Sequence, residues 1–251
     1  MGAASAPRLT NDQMAHLLAL TRDADSVELK LTVPDSERGA AIAALDMDPL
    51  GAQIRQVVFF DTPDLDLYRR GLVTRARRIQ GKPDDSVVKL RPVVPNDLPD
   101  ELRATQGFVV EVDAMPGGYV CSGSLKATLD EPLVRDVVRG RRPVRRLFSK
   151  AQRAFFTAHS PDGIDRDDLA VLGPINVIKL RFRPEGFDRR LVAELWFYPD
   201  GTRVLELSTR CEPSETFQVA TEARVYLAGR GLDLDGEQQT KTRMALERLA
   251  G

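Results

Sequence analysis

The sequence is poor in the residues that most often build redox, zinc or disulfide sites. Its 251 residues include two cysteines, two histidines and one tryptophan. Cys121 and Cys211 stand far apart and imply no disulfide framework. Ordinary packing is the expected role of both, and a reducing cytoplasm the expected location. His16 and His159 have no zinc-like spacing to either cysteine. No apolar run approaches membrane-spanning length. The opening MGAASAPRLTNDQM lacks the apolar stretch of a secretory signal, and Ala6 stands where a myristoylation signal carries Ser or Thr. Neither sign of charge dominates: 36 Lys plus Arg against 37 Asp plus Glu gives a net −1, which argues against a general nucleic-acid binder. No repeat of fixed period is visible. With 42% hydrophobic residues, the chain can bury the core of one large domain.

What the chain does have is charge at period two. Arg75 and Arg77 are two apart in VTRAR, as are Lys89 and Arg91 in VVKLR, and Lys179, Arg181 and Arg183 in VIKLRFR. Glu111 and Asp113 repeat the spacing in VVEVD, and Glu28 and Lys30 in SVELKL. Period two is the strand period, so each set occupies one strand face. The opposite faces are mainly apolar, for example Val27, Leu29 and Leu31, or Val88 and Leu90. One such strand usually has its charged face in water. Several in succession, with mixed signs, instead suggest a barrel whose interior is lined by cations and carboxylates, a cavity suited to a polyphosphate and its metal ion.

Along the chain, residues 1–25 read as a loose segment with one turn of helix near 14–20, and 26–251 as a single domain. Strands are expected at 26–33, 53–60, 72–79, 86–91, 108–113, 176–183, 191–198 and 203–209, with a helix at 34–45. In DTPDLDLYRRG, Thr62 is placed to cap a short helix, Pro63 suits its first position and Gly71 its stop; Asp61 and Asp64 read as structural. The spacing of Leu125, Leu129, Leu133 and Val137 predicts a helical insertion over about 121–158. It is interrupted by GRRPVRR (140–146), which reads as a solvated loop. PDG at 199–201 is a tight turn, and two C-terminal helices follow within 214–250.

These segments, in this order, resemble the CYTH superfamily, the triphosphate tunnel metalloenzymes, which include class IV adenylyl cyclases, thiamine triphosphatases and inorganic triphosphatases. Ser26-Val-Glu28-Leu-Lys30 is similar to the family's Glu-x-Glu-x-Lys strand. FFDTPDLDLYRRGLVTRAR (59–77) is similar to its second and third strands, VVKLRP (87–92) to its fourth, VLELST (204–209) to its last core strand and TKTR (240–243) to its C-terminal helix. The likeness spans about 26–243. It implies an α+β protein built on a closed antiparallel eight-stranded β-barrel, a tunnel with flanking helices.

The resemblance also implies roles. Lys30, Arg75, Arg77, Lys89, Arg91, Lys179, Arg181 and Arg183 would bind a triphosphate through Arg forks and Lys point charges. Glu28, Glu111, Asp113, Glu194 and Glu206 would supply the oxygen ligands that Mg²⁺ or Mn²⁺ takes. Glu28 and Lys30 would serve catalysis. Trp196 shares a strand face with Glu194, to stack on a ring or to fill space. Two positions depart from the pattern: Ser26 replaces the family's first acid, and Ser208 stands where the last strand carries a second. A hydroxyl is a weaker ligand for a hard cation, so the sequence supports phosphate binding more directly than turnover. Asp25 is out of phase by one residue and faces the other way. The leading expectation is a metal-dependent hydrolase of a triphosphate-containing small molecule. The alternatives are a non-catalytic polyphosphate or nucleotide binder in the same tunnel, an adenylyl cyclase, and basic strands forming an outer RNA surface.

Overall fold

Charged and apolar faces alternate along nine strands, and both faces become covered because the sheet closes on itself. The computed structural model describes residues 10–234, 238 and 240–250. The first nine residues of the expected N-terminal segment, and residues 235–237 and 239 between the C-terminal helices, lie outside the described residues. In chain order the elements are α1 (Asn11–Arg22), β1 (Ser26–Val33), α2 (Arg38–Ala44), β2 (Gln53–Asp61), α3 (Asp66–Arg69), β3 (Leu72–Ile79), β4 (Asp84–Leu90), α4 (Asp100–Arg103), β5 (Phe108–Met115), β6 (Gly118–Leu129), α5 (Leu133–Val138), α6 (Lys150–His159), β7 (Ala170–Phe182), β8 (Leu191–Phe197), β9 (Arg203–Cys211), α7 (Thr216–Gly229) and α8 (Lys241–Leu249).

The strands join in the order β1-β5-β6-β4-β3-β2-β7-β8-β9 and close through β9 onto β1. Closure pairs every strand on both sides and leaves no sheet edge. All neighbours are antiparallel except β1 and β5, which run parallel with Glu28 beside Asp113. The barrel is therefore mixed and nine-stranded, not antiparallel and eight-stranded as expected. The ninth strand is β6, whose residues the leucine spacing assigned to a helix. A spacing of four, as from Leu125 to Leu129, keeps two residues on one side of a helix and equally on one face of a strand. Of the expected 121–158 insertion, α5, α6 and a short 3-10 turn at Val144–Leu147 are helical.

Much of the outward strand faces is buried under helices, while Ile54 of β2 stays exposed. Val27, Val88, Val112 and Leu125 pack with Val134 and Val137 of α5 and with Phe155 and Phe156 of α6. Leu17 and Leu20 join the same core, and that burial carries α1 through twelve residues where one turn was expected. Gln152 anchors α6 to the barrel with its amide satisfied on both ends. Its nitrogen donates to the Ser86 and Leu125 carbonyls at 3.1 and 3.0 Å, and its oxygen accepts from Ser86 Oγ and the Ser149 N–H, both at 3.0 Å. A second core places Leu31, Leu205 and Leu207 against α2 and α7. The third lies inside one end of the barrel, where Ala245 and Leu246 of α8 pack on Phe59, Ile175 and Trp196. Helix α8 thus plugs one mouth of the tunnel, and α7 lies on the outer wall.

The DTPD segment is structural. Asp61 accepts the backbone N–H groups of Thr62, Leu67 and Tyr68 at 2.8–3.0 Å. The helix begins later than expected, at Asp66. Thr62 Oγ1 takes the Asp66 N–H at 3.0 Å, so the hydroxyl still closes the turn. Gly71 stops it at φ 82°, and a Cβ there would lie 2.1 Å from the Arg91 carbonyl oxygen. Cys121 and Cys211 are buried free thiols, and burial raises the Cys121 thiol to about 11. No helix among the described residues is long and apolar enough to cross a membrane.

Candidate functional site

Inward-facing residues of all nine strands enclose a cavity of about 610 Å³. Twelve Lys and Arg side chains and seven Asp and Glu side chains line it, so a chain of net charge −1 concentrates five net positive charges in one space. Of the residues expected at the site, Glu28, Lys30, Arg75, Arg77, Lys89, Arg91, Glu111, Asp113, Lys179, Arg181, Glu194 and Glu206 all line the cavity. Arg183 does not. It follows the last residue of β7, Phe182, where strand alternation no longer fixes its direction, and it is exposed.

The two signs are largely segregated, with Lys30 on β1 and Arg210 on β9 the cations of the acidic wall. The contiguous strands β8, β9, β1 and β5 carry Glu194, Glu206, Glu28, Glu111 and Asp113. The contiguous strands β4, β3, β2 and β7 carry Lys89, Arg75, Arg77, Arg55, Lys179 and Arg181, and Arg91 follows β4 directly. Asp84 and Asp85 are the acids of the basic wall. Asp85 takes a two-pronged hydrogen bond from Arg77 at 2.7 and 2.8 Å, and Lys126 approaches it at 3.1 Å.

On the acidic wall, oxygens of Glu28, Glu111 and Asp113 lie within 4.8 Å of one another. Lys30 Nζ donates to Glu28 at 3.0 Å and to Asp113 at 2.7 Å, and Lys89 reaches the other Asp113 oxygen at 3.3 Å. Burial pushes the Asp113 carboxyl up, but these two ammonium groups outweigh it and hold the acid well below its usual range. Glu28 is lowered too, with Lys30 overcoming burial. Glu111 moves the other way: burial and the charges of Glu28 and Asp113 raise it. Its ion-pair partner is Arg210, whose side chain is 60% exposed, and Ser26 Oγ stands 3.4 Å away. Three carboxylates crowded this way are hard oxygen donors of the kind Mg²⁺ and Mn²⁺ take. The residues fit such an ion.

Glu194 and Glu206 face each other across the β8–β9 pair, apart from that cluster. Lys179 contacts Glu194 at 2.6 Å, and Lys241 from α8 contacts Glu194 and, at 2.6 Å, Glu206. Burial opposes ionisation of Glu194, yet Lys241 and Lys179 hold it well below its usual range. Trp196 is 3% exposed, and its indole N–H donates to Glu194 at 3.3 Å. Its ring fills the wall.

The basic wall is under-compensated. Among the described residues Arg55, Arg75, Arg91 and Arg181 form no ion pair. Arg75 Nε is buried with no hydrogen-bond partner. Burial, with Arg77 adding repulsion, lowers the Arg75 guanidinium to about 10. An uncompensated buried cation is costly unless something anionic occupies its surroundings.

Sequence reasoning missed Arg55, Asp85, Lys126, Arg210 and Lys241. Arg55 has no charged neighbour at period two in QIRQVVFF. Asp85 falls just before the strand expected at 86–91, and Lys126 lies in the segment read as helix. Arg210 extends the inward face of β9 two residues past Ser208. Lys241 lies within TKTR, and its entry into the tunnel depends on where α8 docks.

Comparison with solved structures shows that this closed barrel with flanking helices is a fold shared with proteins of known structure. A candidate adenylyl cyclase from Hippeastrum, described as having a dominant triphosphatase activity, matches at TM-score 0.65 with 17% identity over 88% of this chain and 94% of its own. A candidate adenylate cyclase from Bacillus halodurans matches at TM-score 0.61 with 13% identity over 88% of this chain and 97% of its own. These likenesses are of fold. No family model and no curated protein sequence matches the chain.

Proposed function

We propose that the tunnel binds the triphosphate group of a small molecule together with a divalent cation, Mg²⁺ or Mn²⁺, and hydrolyses it. The observation that carries this reading is Arg75, held inside the barrel with an unpartnered Nε beside other unpaired arginines. A triphosphate would supply acceptor oxygens to Arg75, Arg77, Arg91 and Arg181 while its opposite side faces the carboxylates. Glu28, Glu111 and Asp113 would hold the metal. A divalent ion bound there lowers the pKa of water and neutralises phosphate oxygens. In the hydrolysis, water oxygen bonds to the terminal phosphorus and the bond to the bridging oxygen breaks. Orthophosphate and the shortened phosphate chain leave. In this reading Glu28 would accept the proton of water, and Lys30 would turn from Asp113 to balance charge on the terminal phosphate. The protein's part is positioning and charge stabilisation. The triphosphatase activity described for the Hippeastrum protein is chemistry of the same kind.

A second reading, binding without turnover, draws on a specific contact. Ser208 Oγ donates to Glu28 at 3.0 Å, so a hydroxyl occupies the carboxylate that the hydrolytic reading needs. Thermal melting with tripolyphosphate, ATP and thiamine triphosphate, with and without Mg²⁺ or Mn²⁺, separates the two when phosphate release is read in the same samples. A ligand that binds only the folded state raises the midpoint. Stabilisation with phosphate release supports hydrolysis, stabilisation without release supports a binder, and no stabilisation removes both. Cyclic AMP formed from ATP would replace hydrolysis with cyclisation.

A further inference from the structure

Two acidic subsites lie in the same tunnel, and they are neutralised differently. In the first, Lys30 and Lys89 hold Glu28 and Asp113, Glu111 is answered by an exposed arginine, and oxygens of the three acids converge. In the second, Glu194 and Glu206 are directly opposite on adjacent strands, an arrangement that repels without a cation between them. That cation belongs to the chain. Lys241 Nζ bridges both carboxylates from the first turn of α8, and it also lies 5.3 Å from the centre of the Trp196 ring. Both oxygens of Glu194 are taken, one by Lys179 and the other by Lys241 and Trp196.

We propose that Lys241 occupies the place of a second divalent ion, so that the tunnel takes one metal, at Glu28, Glu111 and Asp113, and Glu194 and Glu206 bind none. This rests on the metal reading above and adds which acids bind metal and what excludes it from the others. The physical reason is tethering. Ala245 and Leu246 pin α8 inside the barrel, and Thr240 caps it by accepting the Arg243 N–H at 3.4 Å. The ammonium therefore stands at the carboxylate pair at an effective concentration that free metal must exceed.

The test is the number of Mn²⁺ ions bound by the full chain without substrate, read from the loss of the free-ion EPR signal. The wild-type protein should bind one ion, and Glu28→Gln should abolish it. Lys241→Gln, which removes the charge but keeps a hydrogen-bond donor, should bind two, and adding Glu194→Gln should return the count to one. Lys241→Arg keeps the charge and should bind one. Should Lys241→Gln fail to fold, Lys241→Met serves, since its side chain is similar in length and uncharged. Two ions in the wild type, or one in both neutral variants, would overturn the proposal. No ion in the wild type and one in Lys241→Gln would refute the Glu28 site while supporting Lys241 as the excluding group. No ion in either would overturn both.

Discussion

Ser208 and Lys30 face each other across the β1–β9 pair, and the Ser208 hydroxyl turns to Glu28, donating to its Oε1 at 3.0 Å. The residue where the family pattern places an acid is thus tied to the acid that remains. Ser26 stands on the same inward face, 3.4 Å from Glu111.

Restoring acids at these positions should change stability with a sign set by metal. In Ser208→Glu, and in the pair Ser26→Glu with Ser208→Glu, new carboxylates join a cluster in which Glu111 is already raised by its acidic neighbours. Without metal the melting temperature should fall. With Mn²⁺ it should rise above wild type, with roughly tenfold tighter Mn²⁺ binding, about 1.4 kcal/mol. A fall in both conditions would remove these serines from the metal site.

Arg75→Met separates binding from stability. The guanidinium is desolvated and its Nε has no partner, so its loss should leave the ligand-free melting temperature unchanged or raise it. Tripolyphosphate binding should weaken by about 1.5–3 kcal/mol, as when a charged hydrogen bond is removed. Calorimetric titration with paired melts tests this. A destabilised protein with unchanged affinity would make Arg75 structural.

Asp85→Asn tests a pH-dependent strut. Burial raises this carboxyl, but the Arg77 fork and Lys126 outweigh it, so its pKa in the folded protein is lowered. A lowered folded pKa gives stability that is present above the unfolded value, about 3.9, and is lost as pH falls through the folded one. The substitution should cost about 3 kcal/mol or more at neutral pH, because it leaves Arg77 buried without its charge partner. The difference from wild type should shrink below about pH 4. Urea denaturation across pH measures it, and a pH-independent difference would contradict the ion-pair account.

Gly71→Ala should lower stability by about 1–3 kcal/mol for its positive φ alone, with more from the contact of Cβ with the Arg91 carbonyl. That contact moves the backbone of a tunnel arginine, so tripolyphosphate affinity should fall as well. Unchanged affinity at lowered stability would uncouple this turn from the site.

How much of this was legible beforehand follows from what each signal encodes. The pairs Arg75–Arg77, Lys89–Arg91, Glu111–Asp113 and Glu28–Lys30 could be read as strand faces because alternation is a local property of the backbone. Gly71 could be read as a stop because its φ is set by its own turn. Strand β6 could not, since its leucines are in phase with both periods, and the barrel gained its ninth strand and its parallel pair with it.

Local spacing set eight of the nine strands, their charged faces and the turns, since each depends on a few consecutive residues. Tertiary structure alone decided that β8, β9, β1 and β5 stand together as an acidic wall opposite a basic one. Neighbours in a closed barrel come from chain topology, which no local period records. It alone brought Arg55 and Asp85 inward as partners of that site. It also delivered Lys241 to Glu194 and Glu206 across some forty residues of chain, because the helix that carries it is held by burial of Ala245 and Leu246 inside the barrel.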